Sequence, residues 1–240
     1  MHAGNASVGP VDTRTAVDLN ADLGEEVTDD AALLAVVTSA NVACGYHAGT
    51  VAIMRAVCDE AAERGVAVGA QVSYDDRENF GRVARDVPAD VLREQVADQV
   101  GTLSSIAAAA GTAVRYVKPH GALYHRVIDD EEQAAAVLAG SGDLPVLGMP
   151  GRFLDLAAEA GRAVRHEGFP DRGYAADGRL LPRGEPGAVL EDADAIAAAA
   201  LRLAPQVDSL CLHGDTPGAV AHARAVRAAL TGAGWTLAPL

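Results

Sequence analysis

Seven short, almost wholly apolar runs punctuate the chain, at residues 16–19, 39–43, 67–72, 113–117, 145–147, 163–166 and 209–212. None shows a clean polar alternation, so they read as parallel strands covered on both faces. Between them apolar positions recur at helical spacing. Pro88 opens a predicted helix that carries Leu92, Val96, Val100, Leu103 and Ala107 along one face, and Gly111 closes it. Thr216-Pro217 opens another through Val220, Ala223, Val226 and Leu230, stopped at Gly232. Residues 191–203 are Ala-rich and helical in type. Strand and helix alternate without a break in composition, which predicts one α/β domain over residues 15–240. The economical architecture is a (β/α) barrel of about seven strands, with a doubly wound open sheet as the alternative.

Composition sharpens this picture. Half of the residues are hydrophobic but only 4% are aromatic, so the core must be built from Ala, Val and Leu. A net charge of −14 argues against nucleic acid as a partner, since phosphate neutralisation needs a basic face. Cys44, Cys58 and Cys211 lack zinc-type spacing and leave an odd thiol, which predicts a reducing, cytoplasmic setting. No run of 18 apolar residues suggests a membrane span. Residues 1–14 have no apolar signal-peptide core and read as a flexible leader.

Polar residues with chemical potential follow the strand candidates, where parallel sheets build their sites. Asp18, Asn20 and Asp22 alternate, so an extended chain projects them to one face. His47 sits between Gly45 and Gly49. Lys118 is the only lysine among 19 basic residues, and His120 follows it closely. A chain that otherwise uses arginine keeps an ammonium where a compact charge is needed. Residues 167–189 form the one long interruption, rich in Gly, Pro and Arg, and are the candidate flap over a site. His213 and Asp215 follow the last run, though Asp215-Thr216-Pro217 reads equally well as a helix cap. A neutral histidine near carboxylates suits proton transfer at pH 7. No nucleotide-cradling glycine motif is present. Hydrolytic C–N or C–O cleavage, or ring opening, fits this set better than phosphoryl or hydride transfer.

Four segments carry a resemblance: Val17 to Glu25, Ser39 to Gly49, Val117 to Tyr124, and Cys211 to Asp215. Together with Glu167-Gly168-Phe169-Pro170-Asp171-Arg172-Gly173-Tyr174, they resemble the 5-oxoprolinase A-subunit family, also called the LamB/YcsF lactam-utilisation family. The resemblance implies a distorted barrel related to polysaccharide deacetylases. It also implies ATP-dependent opening of 5-oxoproline to glutamate with partner subunits B and C, ATP being a co-substrate of the complex. Carried onto this chain, it suggests Asp22, His47, Lys118, His120 and His213 as catalytic residues. Asn20, Asn41, Tyr124, Glu167, Asp171, Arg172 and Asp215 are the matching substrate-binding candidates, with Lys118 and Arg172 expected to hold a substrate carboxylate or phosphoryl group. The family pattern G-A-H-P is replaced here by Gly69-Ala70-Gln71-Val72, and Gln71 is a poor ligand beside imidazole, so no metal site is assigned. Two other readings remain open: a self-sufficient metal-dependent amidase or deacetylase, and a non-catalytic lactam-binding scaffold.

Overall fold

The computed structural model describes residues 15–240; the leader expected at residues 1–14 lies outside the described residues. Seven parallel strands form the frame: β1 (Ala16–Leu23), β2 (Ser39–Ala43), β3 (Ala67–Val72), β4 (Val114–Pro119), β5 (Val146–Gly148), β6 (Val164–Gly168) and β7 (Ser209–Leu212). They neighbour one another in chain order, and β1 pairs with both β2 and β7, which closes the barrel. The open-sheet alternative is thereby excluded. A short β8 (Thr236–Leu237) pairs with the start of β1, at the opposite end of that strand from Asp22.

The helices wrap the outside: α1 (Asp30–Leu34), α2 (Val51–Arg64), α3 (Ala89–Ala109), α4 (Gly121–Asp129), α5 (Glu131–Gly140), α6 (Arg152–Glu159), α7 (Ala193–Leu203) and α8 (Ala219–Gly232). Pro88 stands immediately before α3, whose Leu92, Val96, Leu103 and Ala107 are buried as the spacing predicts. Each large side chain buried in this way contributes about 1.5–3 kcal/mol. Gln99 is the polar exception on that face. Its amide accepts from Ser73 N at 2.9 Å and donates to Ser73 O at 3.0 Å, tying α3 to the loop after β3. Among the described residues no helix is long and apolar enough to cross a membrane.

The interior of the barrel is polar. On β1 the alternation turns Leu19, Ala21 and Leu23 into the aliphatic layer and Asp18, Asn20 and Asp22 to the opposite face. Each is buried and each is partnered. Asp18 accepts from Thr38 Oγ1 at 2.6 Å, Ser39 Oγ at 2.7 Å, and Ser209. One layer up, Asn20 donates to Ser209 and Glu167 and accepts from Asn41 Nδ2 at 2.6 Å, while Tyr116 OH donates to Asn41 at 2.6 Å. The Tyr116 ring crosses Gly69, where an added Cβ would fall 2.2 Å from a ring carbon. Gly69→Ala is therefore expected to cost about 1–3 kcal/mol of stability by overpacking, read from urea denaturation.

Burial pushes the Asp18 carboxyl up to about 6, against the three hydroxyl donors and with help from the charge of Glu167. Its folded state thus holds a proton that the unfolded chain releases above 3.8. The stability it contributes is complete below that value and is lost as pH rises through about 6. Between pH 5 and 7 this amounts to about 1 kcal/mol. Asp18→Asn should flatten that part of the stability profile, as measured by denaturation at the two pH values.

Candidate active site

The strand ends of β1, β4 and β7 open into a cavity of about 360 Å³. Asp22, Lys118, His120, Tyr124 and His213 form its floor and walls, and Phe169, Arg172 and residues 180–183 of the long interruption roof it. That segment is a small hairpin. Antiparallel bridges join Arg172 to Val189 and Tyr174 to Leu180.

Lys118 lies near the end of β4, its position fixed by pairing with Gln71 across β3 and β4. Its Nζ lies 2.9 Å from Asp22 Oδ1, 3.0 Å from Glu167 Oε1 and 3.0 Å from Cys211 Sγ. Burial opposes the ammonium charge, but Asp22, Cys211 and Glu167 raise Lys118 well above the ordinary lysine range. Asp22, although burial disfavours its charge, is held below the usual carboxylate range by Lys118, then His213 and His120. Tyr124 OH donates to Glu167 Oε2 at 3.0 Å; burial, then the charge of Glu167, keeps that phenol protonated. One ammonium thus serves two carboxylates.

His213 follows β7 and stacks on Phe169 with ring centroids 5.4 Å apart. Asp171 Oδ2 accepts from both His213 N at 3.0 Å and His213 Nδ1 at 2.9 Å. Burial opposes the Asp171 charge, yet His213 and Arg172 bring it below the usual range, so it is an ionised acceptor. The His213 proton is consequently on Nδ1, leaving Nε2 free to accept.

His47 and His120 stack at 3.9 Å beside the cavity, with Phe80 edge-on to both. Burial, then the neighbouring His47, pushes His120 well below the ordinary histidine range. Glu25 Oε1 lies 3.4 Å from His47 Nε2 and 3.5 Å from His120 Nδ1. Burial raises Glu25, with His47 opposing and Asp22 adding to the shift. A carboxylate and two imidazoles are a donor set that could hold a divalent cation.

Of the sequence candidates, Asp22, Lys118, His120, His213, Tyr124 and Arg172 line the cavity. His47 is fully covered behind His120. Asn20 and Asn41 are buried below, in the hydrogen-bond layer of the barrel interior, and do not line the cavity. Glu167 holds Lys118 and Asp171 holds His213, so each acts on a neighbour rather than facing the cavity. Arg172 Nε and Nη2 donate to Ala188 O at 2.8 Å and Leu181 O at 2.7 Å, bracing the roof. Asp215 stands on the rim between Arg82 at 2.5 Å and Arg183 at 3.6 Å. Glu25, Arg82 and Arg183 were not among the sequence candidates. Glu25 ends the Asp22-Leu23-Gly24-Glu25 segment that carries the resemblance, a signal that was available; the arginines lie in loops without a motif.

A family model described as the LamB/YcsF family matches residues 17–240. The chain belongs to the LamB/YcsF family. A relative from Streptomyces avermitilis, named as the A subunit of 5-oxoprolinase, is 54% identical over 91% of this chain and 97% of its own. The crystal structure of the lactam utilization protein from Thermus thermophilus superposes with a TM-score of 0.88 at 34% identity, over 94% of this chain and all of that one. A peptidoglycan N-acetylglucosamine deacetylase shares the fold alone, with a TM-score of 0.56 and 15% identity over 97% of this chain and 88% of its own. In this LamB/YcsF chain the departure at Gln71 has a defined place: its Nε2 lies 2.9 Å from His120 Nδ1.

Proposed function

We propose that this chain is the A subunit of an ATP-dependent 5-oxoprolinase, opening 5-oxo-L-proline to L-glutamate with partner subunits B and C in the cytoplasm. The observation that carries this reading is the pairing of an oriented histidine with a buried ammonium at one cavity. The name of the Streptomyces relative supplies the substrate. Activation by ATP is assigned to the partners, in keeping with a sequence that has no nucleotide-cradling motif.

The step assigned to this chain is acyl transfer to water, and the partners hydrolyse ATP to ADP and phosphate to drive it. His213 Nε2 takes a proton from water as its oxygen attacks the lactam carbonyl carbon. The negative charge that develops on the carbonyl oxygen is stabilised through space by the positive charge of Lys118, whose own N–H groups stay with Asp22, Glu167 and Cys211. The C–N bond then breaks, and the imidazolium returns its proton to the leaving nitrogen, giving the free amine and carboxylate of glutamate. Because Lys118 already serves two carboxylates, substrate anions are assigned to Arg82 and Arg183, which share the single carboxylate of Asp215 at the rim.

The test is glutamate formation from 5-oxoproline and ATP by the purified chain with and without both partners. Turnover is expected only with all three present. If the Streptomyces relative supports turnover with those partners and this chain does not, the proposal is wrong.

A further inference from the structure

We infer that Glu25, His47 and His120 form a binding site for one divalent transition ion of the zinc class, beside the cavity. The inference does not depend on the reaction proposed above. It rests on where the protons of the two rings must be.

Ser73 Oγ donates to Tyr74 O at 2.8 Å, so its remaining contact, with His47 Nδ1 at 3.0 Å, requires the ring to donate. His47 therefore carries its proton on Nδ1 and turns the lone pair of Nε2 toward Glu25. On the other ring, His120 Nε2 lies 3.0 Å from Phe80 O, a carbonyl that can only accept. His120 therefore carries its proton on Nε2 and turns the lone pair of Nδ1 inward. Two backbone-anchored contacts thus turn both imidazole lone pairs toward the Glu25 carboxylate, 3.4 and 3.5 Å away. Fixing a ring through its second nitrogen is the device by which proteins orient metal-ligating histidines.

The three donor atoms lie within 4.8 Å of one another and all three residues are buried. Among the described residues, Glu25 Oε1 and His47 Nε2 have no hydrogen-bond partner. A buried polar atom left so is costly, and two facing acceptors repel unless a proton or a cation stands between them. The nearby ammonium does not supply that charge, since Lys118 is committed to Asp22 and Glu167. The set of one carboxylate and two imidazoles matches zinc-class preferences rather than those of magnesium or calcium, which favour oxygen alone.

Gln71 stands nearest to a fourth position, which it could fill only as a weak ligand. Its Nε2 faces His120 Nδ1, while its Oε1 is buried without a partner among the described residues. Rotating the amide by half a turn removes the competing N–H and presents the oxygen as a ligand. The stacked rings, 13° from parallel, must also splay for both lone pairs to meet one ion.

The experiment is zinc stoichiometry of the tag-free full chain, by elemental analysis after zinc loading and gel filtration, with affinity from chelator competition. One equivalent is expected, accompanied by a rise in melting temperature. His47→Gln and Glu25→Gln should each lose it, His166→Gln at the half-exposed surface should keep it, and Gln71→His should bind at least tenfold more tightly. Glu25→Gln preserves size, so it decides the matter if His47→Gln fails to fold. Zinc retained by Glu25→Gln, or no zinc bound by the wild-type chain, would overturn the site. Neither result bears on 5-oxoproline turnover, which stands or falls by reconstitution.

Discussion

Lys118→Met is expected to destabilise the chain by about 3–5 kcal/mol at pH 7, because it leaves Asp22 and Glu167 buried without their shared cation. The same substitution should abolish turnover in the reconstituted enzyme, since the charge facing the carbonyl oxygen is gone. The loss of stability should shrink as pH falls toward 5, where the stranded carboxyls can take up protons instead of remaining ionised. Adding Asp22→Asn to Lys118→Met should restore part of the stability and none of the turnover. Arginine should not substitute, since its planar fork presents its charge and donors differently from a compact ammonium. Chemical denaturation of the single and double variants reads the stabilities, and glutamate formation by the reconstituted enzyme reads the turnover. A Lys118→Met chain within about 1 kcal/mol of wild type would mean that the carboxylates are not held as charges.

Asp171→Asn separates two roles that sequence could not. Asp171 was expected to touch substrate, but it lies behind His213 and accepts from its Nδ1. An amide there can donate to the ring and favour the tautomer that carries the proton on Nε2, where the base must be bare. The expected result is a fall in kcat of roughly 10²–10⁴-fold with little change in KM. His213→Ala should match it, and combining the two should add little, as for residues acting as a unit. A raised KM with unchanged kcat would instead put Asp171 in contact with substrate.

How far the chain could be read depends on what kind of information each feature needs. The strands were legible because an apolar run beside punctuation is a local signal, and 209–212 is the same in the sequence and in the fold. β1 runs four residues beyond its apolar start, since Asn20 and Asp22 find partners across the barrel and so remain in a strand. Their shared face was nevertheless evident from alternation alone. Closure was not legible, because pairing of β1 with both β2 and β7 joins segments at opposite ends of the chain. Lys118 stood out through composition, but its two carboxylates come from β1 and β6, and only the fold brings them together. Arg172 was singled out for its charge; it lines the cavity as expected of that charge, and what only the fold shows is that its Nε and Nη2 also hold two backbone carbonyls of its own hairpin. Glu25 escaped because Gly24, at φ 75°, turns the chain out of the strand alternation.

A barrel filled with aliphatic side chains tolerates many fillings, because oily surfaces fit one another without regard to direction. This one is keyed like a lock: Asp18 answers to Ser39 and Ser209, Asn20 to Asn41, Asp22 to Lys118. A single-residue slip of β1 would drive those groups among the outer helices and bring leucines to face amides. The same contacts that ready the pocket for its chemistry therefore also select the correct wrapping of the chain over its near misses.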